Sequence, residues 1–264
     1  MYAPERHQAI LDLARERGRV EVRDLAEQLE VTPETIRRDL TSLERRGLVR
    51  RAHGGAVPIE RASLGAPGAR ETVNAAEKDA IAAAALAEVP EHGSILIDAG
   101  TTTLRLAELI PAGGSLTVVT HSLPVAMTLA GRPGIELHVL GGRLEANGTT
   151  VGTWTHQALG MVAVDVAFLS IEGITPERGF TVADLAEAAV KSAVIRASRR
   201  TIVLADHTKF GREEFARIAP LAAVDTIITD SAVNTELAGE VEAAGTTVVR
   251  ALAAAPGLAV TATN

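Results

Sequence analysis

Residues Val31 to Val57, VTPETIRRDLTSLERRGLVRRAHGGAV, define a helix at both ends and follow it at once with a glycine turn, which leaves the N-terminal region few folds to choose from. Thr32 is a good N-cap, Pro33 suits the first helical position, and Val31 and Ile36 have the spacing of a hydrophobic staple. Ile36, Leu40 and Leu43 then recur at i, i+4 and i+7, so one face is apolar, while Glu34, Arg38, Thr41 and Arg45 fall on the other. Gly47 ends the helix in the C′ position, and Leu48 to Val57 reads as two short strands folded back at His53-Gly54-Gly55. Upstream, Ile10, Leu13 and Ala14 within Pro4 to Arg17, and Val22, Leu25, Ala26 and Leu29 within Val22 to Leu29, predict two further helices. Three helices and a wing make an α+β winged helix-turn-helix.

Six arginines, Arg37, Arg38, Arg45, Arg46, Arg50 and Arg51, stand against three acids in this stretch, a local balance of +3. Residues 1 to 57 hold 11 basic and 10 acidic side chains, whereas residues 58 to 264 hold 15 and 23, so the chain's net −7 comes from its larger part. A solvated helix whose charges serve solubility is the plainer reading of a lone basic helix. Positive charge gathered on the probing surface of an otherwise acidic protein suits a duplex reader instead, because arginine supplies phosphate contacts and a bidentate match to guanine.

ERHQAILDLA, VEVRDLAEQLEV, TIRRDLTSLERRG and RRAHGGAV together resemble the DNA-binding module of the DeoR family of bacterial transcriptional regulators, end to end. The resemblance implies double-stranded operator DNA as a partner. Glu34, Thr35 and Arg38, following the helix N-terminus at Thr32, are expected at base edges, and Arg37, Arg50, Arg51 and His53 at phosphate or the flanking minor groove. Helix-turn-helix dimers read palindromes with half-sites about 34 Å apart or multiples of it, so a homodimer or homotetramer is expected.

The expected boundaries are 1–57 for the DNA-binding domain, 58–73 for a linker, 74–250 for a second domain and 251–264 for a tail. The linker, PIERASLGAPGARETV, carries prolines, glycines and small residues without helical or strand periodicity. With no cysteine, disulfides and Cys-based zinc sites are excluded, and the seven histidines show neither H-x3-H nor HExxH spacing, so no metal or cofactor is expected. No apolar run approaches the roughly 20 residues of a membrane span, and MYAPERHQ lacks a signal-peptide layout. A cytoplasmic protein without a membrane partner is the expectation.

From Asn74 onward helical runs alternate with β-branched runs: AAEKDAIAAAALAEV, SILID, TLRLAELI, LTVVT, SLPVAMTLA, IELHVL, VDVAFLS, Asp184 to Ala197, TIVLAD, TIITD and TTVVR. This predicts a parallel α/β sheet covered on both faces, with ligands beyond the carboxyl ends of its strands. Asp98-Ala99-Gly100-Thr101-Thr102-Thr103 leads from a strand into a helix, which suits a phosphate: backbone N–H groups and the helix dipole meet the anion, and hydroxyls add donors. Simple helix capping is the alternative for such threonines. Thr120-His121-Ser122, Gly141-Gly142-Arg143 and Asp206-His207-Thr208-Lys209 follow three other strands, so four strand ends can converge on one pocket. Only Lys78, Lys191 and Lys209 among 26 basic residues are lysine. Lys191 lies one turn after Glu187, which on spacing alone reads as a surface pair. Trp154, near a helix start, is expected to pack.

DAGTTT, VVTHSLPVA, VLGGR, DVAFLSIEGI, GFT followed by E-A-x-x-K, and ADHTKFG resemble, in order, the DeoR sensor domain over roughly Asn74 to Arg250. The resemblance implies a fold similar to ribose-5-phosphate isomerase and a pocket for a phosphorylated sugar or related metabolite that controls operator binding, in a repressor of carbohydrate-metabolism genes rather than an enzyme. It brings Asp98, Gly100 to Thr103, Thr120 to Ser122, Gly141 to Arg143, Glu187, Lys191, Asp206 and Lys209 to that effector pocket. His121 stands where the family usually has asparagine, Thr208 near a usual serine, and Ser170 near a frequent glycine. The alternative is a sugar-phosphate isomerase or hydrolase fused to a DNA-binding module, with Asp98, Asp165, Glu187 or Asp206 moving the proton.

Overall fold

The computed structural model describes residues 6–7, 9–11, 13–14, 19–29, 31–45, 49–52, 54–58 and 69–252. The chain divides into two compact units, Met1–Leu64 and Gly65–Asn264.

In the first unit the described residues between 6 and 14 are helical (α1). They are followed by β1 (Val20–Glu21), α2 (Val22–Gln28), α3 (Pro33–Arg45), β2 (Val49–Ala52) and β3 (Gly55–Pro58). The expected N-cap is in place, with Thr35 N donating to Thr32 Oγ1 at 3.3 Å. Ile36, Leu40 and Leu43 of α3 are fully buried against Ile10 and Ala14 of α1 and Val22 and Leu25 of α2. Each such side chain contributes about 2 kcal/mol. The wing is three-stranded, in the order β1-β3-β2, because β3 pairs antiparallel with β2 and also with β1. Two-residue β1 is too short to show a period in sequence. Gly55 permits the pairing, since a Cβ there would lie 1.9 Å from Val20 O, and Gly54 takes φ 78° at the turn. The expected helix stop at Gly47, the turn residue His53, linker residues 59–68 and tail residues 253–264 lie outside the described residues.

The second unit is built on seven strands: β4 (His92–Ile97), β5 (Ser115–Thr120), β6 (Ile135–Val139), β9 (Val164–Ser170), β12 (Ser198–Leu204), β14 (Thr226–Asp230) and β15 (Thr247–Ala251). All pair in parallel, in the order β15-β14-β12-β9-β4-β5-β6. Ile95 and Ile97 of β4, with Phe168 of β9, point to a core shared with α5 (Ala75–Leu86), α6 (Thr101–Leu109) and α7 (Leu123–Leu129). Leu96 between them points to the opposite core, shared with α8 (Thr153–Leu159), α9 (Leu185–Ala197) and α10 (Thr235–Ala243). Burial on both faces is why these strands read as near-continuous apolar runs.

Four features differ from the sequence reading. Ala69–Thr72, assigned to the linker, forms a helical turn (α4). A hairpin of β7 (Arg143–Leu144) and β8 (Thr150–Val151), and an antiparallel sheet of β10 (Gly173–Thr175), β11 (Gly179–Val182) and β13 (Ala216–Ala219), were not expected. Their strands run two to four residues, below the length at which alternation becomes visible. Trp154 is 76% exposed rather than packed. No helix among the described residues is long and apolar enough to cross a membrane.

Candidate functional site

The strand order sets the ends of β12, β9, β4, β5 and β6 side by side, so the expected convergence of polar strand ends occurs at the carboxyl edge of the sheet. At its centre is Asp98, fully buried just after β4. Asp98 Oδ1 faces His121 Nε2 at 2.7 Å. Its Oδ2 accepts from Ser170 N at 2.8 Å, Ser170 Oγ at 2.9 Å and Lys191 Nζ at 2.5 Å. Burial by itself would raise the Asp98 carboxyl, but the Lys191 charge and the His121 contact outweigh it and hold the group far below the usual carboxylate range. Fully buried, with Oδ2 facing Lys191 and Ser170 and Oδ1 facing His121, Asp98 is placed as the anchor of this loop.

The residues holding Asp98 are equally committed. Lys191 Nζ also donates to Ser170 O at 3.0 Å and meets Ser170 Oγ at 3.2 Å, which uses all three of its donors. His121 Nδ1 lies 3.1 Å from Thr150 O. Both side chains are nearly inaccessible, at 3% and 1% exposure. Glu187 and Lys191 are therefore not a surface pair: Glu187 accepts from Asn147 Nδ2 at 3.0 Å, while Lys191 turns inward.

Several expected effector ligands have structural work. The Thr103 hydroxyl donates to Asp98 O at 2.7 Å and the Thr120 hydroxyl to Ile97 O at 2.7 Å. Ser122 caps α7, its Oγ accepting from Val125 N. Gly142 is small because a Cβ would lie 2.1 Å from Thr155 Oγ1, and Gly100 because one would lie 2.5 Å from Ser170 Oγ. Facing outward at this edge are half-buried Thr101 and Lys209, open Gly141 and exposed Arg143, which pairs with Glu145 at 2.7 Å. Thr102 is buried. The N–H groups of Thr101 to Thr103 precede the first intrahelical bond of α6, from Leu104 N to Gly100 O.

Asp206 closes the β12 end. It is buried and accepts from Thr208 N at 3.1 Å, from the Thr208 hydroxyl, and from Asn74 Nδ2 at 3.1 Å. Burial would raise its carboxyl, yet neighbouring Lys209 and these hydrogen bonds leave it below the ordinary value. Asp165 lies at the opposite, amino end of the sheet, bound to Ser94 N and Oγ and to Arg199. Sequence reading overlooked Ser170 as a partner of Asp98, along with Thr150 and Asn74. Ser170 ends β9, so the same strand-end rule could have found it; Asn74 and Thr150 reach the site across the chain and carry no local signal.

On the DNA-binding unit, Glu34, Arg37 and Arg38 are exposed on α3 and Thr35 is half-buried, its hydroxyl 2.9 Å from that of Thr32. Arg37 Nη1 reaches Glu34 Oε2 at 3.1 Å, a pair DNA phosphate can displace. Beneath them, buried Asp39 takes a bidentate bond from Arg6 of α1, Nε at 2.5 Å and Nη2 at 3.1 Å, and meets His7 Nε2 at 3.0 Å. Burial would raise Asp39, but Arg6 and His7 outweigh it and lower its carboxyl. Asp39 thus fixes the pitch of α3 against α1. Arg50 and Arg51 lie on β2 beside the wing turn.

Two family models match the chain, the DeoR-like helix-turn-helix domain over residues 6–62 and the DeoR C terminal sensor domain over residues 73–231. The HTH-type transcriptional regulator GlpR of Haloferax volcanii is 34% identical over 257 residues, covering 96% of this chain and 100% of that protein. The glycerol-3-phosphate regulon repressor of Escherichia coli is 32% identical over 233 residues, covering 88% and 92%. Among solved structures, ribose 5-phosphate isomerase A of Methanocaldococcus jannaschii aligns at a TM-score of 0.37 and 15% identity over 52% of this chain and 54% of that one, a distant likeness.

Proposed function

This chain belongs to the DeoR family of transcriptional regulators, and we propose that it is a repressor of carbohydrate-metabolism genes whose operator binding is governed by a phosphorylated sugar or related metabolite. The observation that carries the effector reading is the α6 N-terminus, where the free N–H groups of Thr101 to Thr103 sit over a sealed Asp98–Lys191–His121 cluster at the carboxyl edge of the sheet. In this reading the phosphate takes those N–H groups and Lys209, Gly141 and Arg143 border the remainder of the ligand, and Asp98, His121 and Lys191 hold the loop in shape. Operator contacts fall to Glu34, Thr35, Arg37, Arg38, Arg50 and Arg51 of a cytoplasmic homo-oligomer.

A mobility shift on the DNA upstream of the chain's own gene, repeated with a panel of sugar phosphates, tests this. One ester should change operator affinity, and Lys209→Ala should weaken the response. Binding indifferent to every ester would refute the effector reading. The enzyme alternative draws on four carboxylates, of which Asp98 is fully buried against Lys191, Asp165 lies at the opposite edge, and Asp206 is buried with its Oδ1 bound to Thr208 and Asn74. Ribose 5-phosphate turnover abolished by Glu187→Gln or Asp206→Asn would revive that alternative.

A further inference from the structure

The chain enters the second unit through α4 and then Asn74, before α5 begins at Ala75. Asn74 has φ 52°, making it the one non-glycine residue with positive φ among the described residues. Asparagine in this conformation ordinarily bonds its own neighbourhood. Here its side chain makes no cap bond to α5 and instead crosses 132 positions of sequence to donate to Asp206 Oδ1 at 3.1 Å.

Asp206 is a receiver of competing donors. Its Oδ1 also takes Thr208 N and the single hydroxyl proton of Thr208, and the Lys209 ammonium supplies its neighbouring positive charge. A phosphoester held by Lys209 competes with Asp206 for that charge and for the Thr208 proton. Whatever Asp206 loses to the ligand changes its bond with Asn74. The same segment is held a second time: Arg105 of α6, the helix whose N-terminus is the Gly100–Thr103 loop, donates Nη2 to Glu71 O at 2.7 Å and pairs Nη1 with Asp79 Oδ1 at 2.5 Å. Residues 71–79 are therefore gripped by the two elements that carry the phosphate-facing groups, and they are the part of this unit through which the chain runs on toward the DNA-binding unit.

We propose that Asn74 is the positioning residue that passes pocket occupancy to this entry segment, an inference resting on the sugar-phosphate reading above. Coupling requires the ligand to favour one of two arrangements, and the Asp206–Asn74 bond is the contact whose strength differs between them.

The experiment uses the full chain, wild type and Asn74→Gly, which keeps the positive φ without the amide, with Asn74→Asp as a second variant that sets two carboxylates together. Thermal shift with glycerol 3-phosphate, ribose 5-phosphate, glucose 6-phosphate and inorganic phosphate reads ligand binding. Mobility shift on the upstream DNA, with and without each compound, reads the response. For the ester that wild type binds, Asn74→Gly should keep ligand affinity and ligand-free DNA affinity within about twofold, while the change in DNA affinity falls at least tenfold from a wild-type effect on the order of 100-fold. Asn74→Asp should give an equal or larger loss of response. A wild-type response in Asn74→Gly overturns the relay, and so does loss of ester binding in that variant, which would make Asn74 a pocket residue. A wild-type chain that binds none of the four compounds overturns the effector reading itself, and the relay with it.

Discussion

Replacing Lys191 by Met separates structural from ligand-contacting roles at the candidate pocket. Methionine approximates the length of the lysine stem, so the change removes chiefly a charge at a site where Asp98 is fully buried and Lys191 is 3% exposed. Asp98 keeps His121 and the two Ser170 donors but loses its short ammonium bond, leaving a buried carboxylate short of its cation. Breaking such a pair from one side costs about 3–5 kcal/mol, which for a domain of this size lowers the unfolding midpoint by roughly 6–20 °C. Calorimetry of the full chain, following the transition of the sensor unit, measures this. The double variant Asp98→Asn/Lys191→Met should lose less than Lys191→Met alone, because the penalty lies in the unpaired charge and not in the missing contact. A cost under about 1 kcal/mol for Lys191→Met, or a double variant equal to the sum of the singles, would refute the reasoning. The acid limb gives an independent check. Because the folded Asp98 carboxyl is depressed, its contribution is fully present above the unfolded value near ~3.9 and fades as pH falls toward the depressed one. Asp98→Asn should accordingly flatten the pH dependence of stability below about pH 4.

Asp39→Ala removes the bidentate carboxylate from the buried Arg6 guanidinium and should destabilise the DNA-binding unit by about 3 kcal/mol, seen as an earlier first transition in urea and weaker operator binding for all sequences alike. Arg38→Ala should relax sequence preference in a binding-site selection, whereas Arg51→Ala should weaken every sequence and reduce the salt slope by about one unit; equal loss of specificity from both would sink the division of roles. Gly55→Ala sets a methyl 1.9 Å from Val20 O, so β1 should part from β3, with hydrogen exchange rising at Val20 and Ala56 while the α3 core stays protected.

What could be read from sequence follows from the range of the forces involved. The α3 boundaries rest on a cap, a proline and an apolar stripe within thirteen residues, all local, and Pro33–Arg45 begins where they place it. The parallel sheet showed itself because each strand is buried on both faces. The strand-end rule then located Asp98, His121 and Asp206 at one edge, because that rule depends on topology and not on side-chain direction. Direction is what it could not supply. Thr103, Thr120 and Ser122 were expected to offer hydroxyls to a ligand, yet each lies within hydrogen-bond reach of a backbone group that burial would otherwise leave unsatisfied, and that local debt is settled first. The β10-β11-β13 sheet escaped notice for the opposite reason: its strands are brief, and their pairing spans residues 173 to 219, so nothing periodic survives in any one window.

The same distinction bears on how the carboxyl edge of this sheet can serve a sensor domain and not a catalyst. A base must hold a lone pair toward substrate and tolerate a change of protonation. Asp98 is poorly suited to either, since it is fully buried and held as a charge against Lys191 and His121. The same contacts brace the loop at Gly100, because Ser170, which binds Asp98, also fills the space beneath that glycine. If this loop takes the phosphate as proposed, such bracing favours a fixed anion geometry with little reorganisation on binding. The contacts a ligand at Lys209 can compete for are those at the β12 end, where Asp206 Oδ1 takes Thr208 N, the Thr208 hydroxyl and Asn74 Nδ2. On the proposed reading, the braced β4 end holds the ligand and the Asp206 end responds to it, with Asn74 tying that end to the segment by which the chain enters this unit.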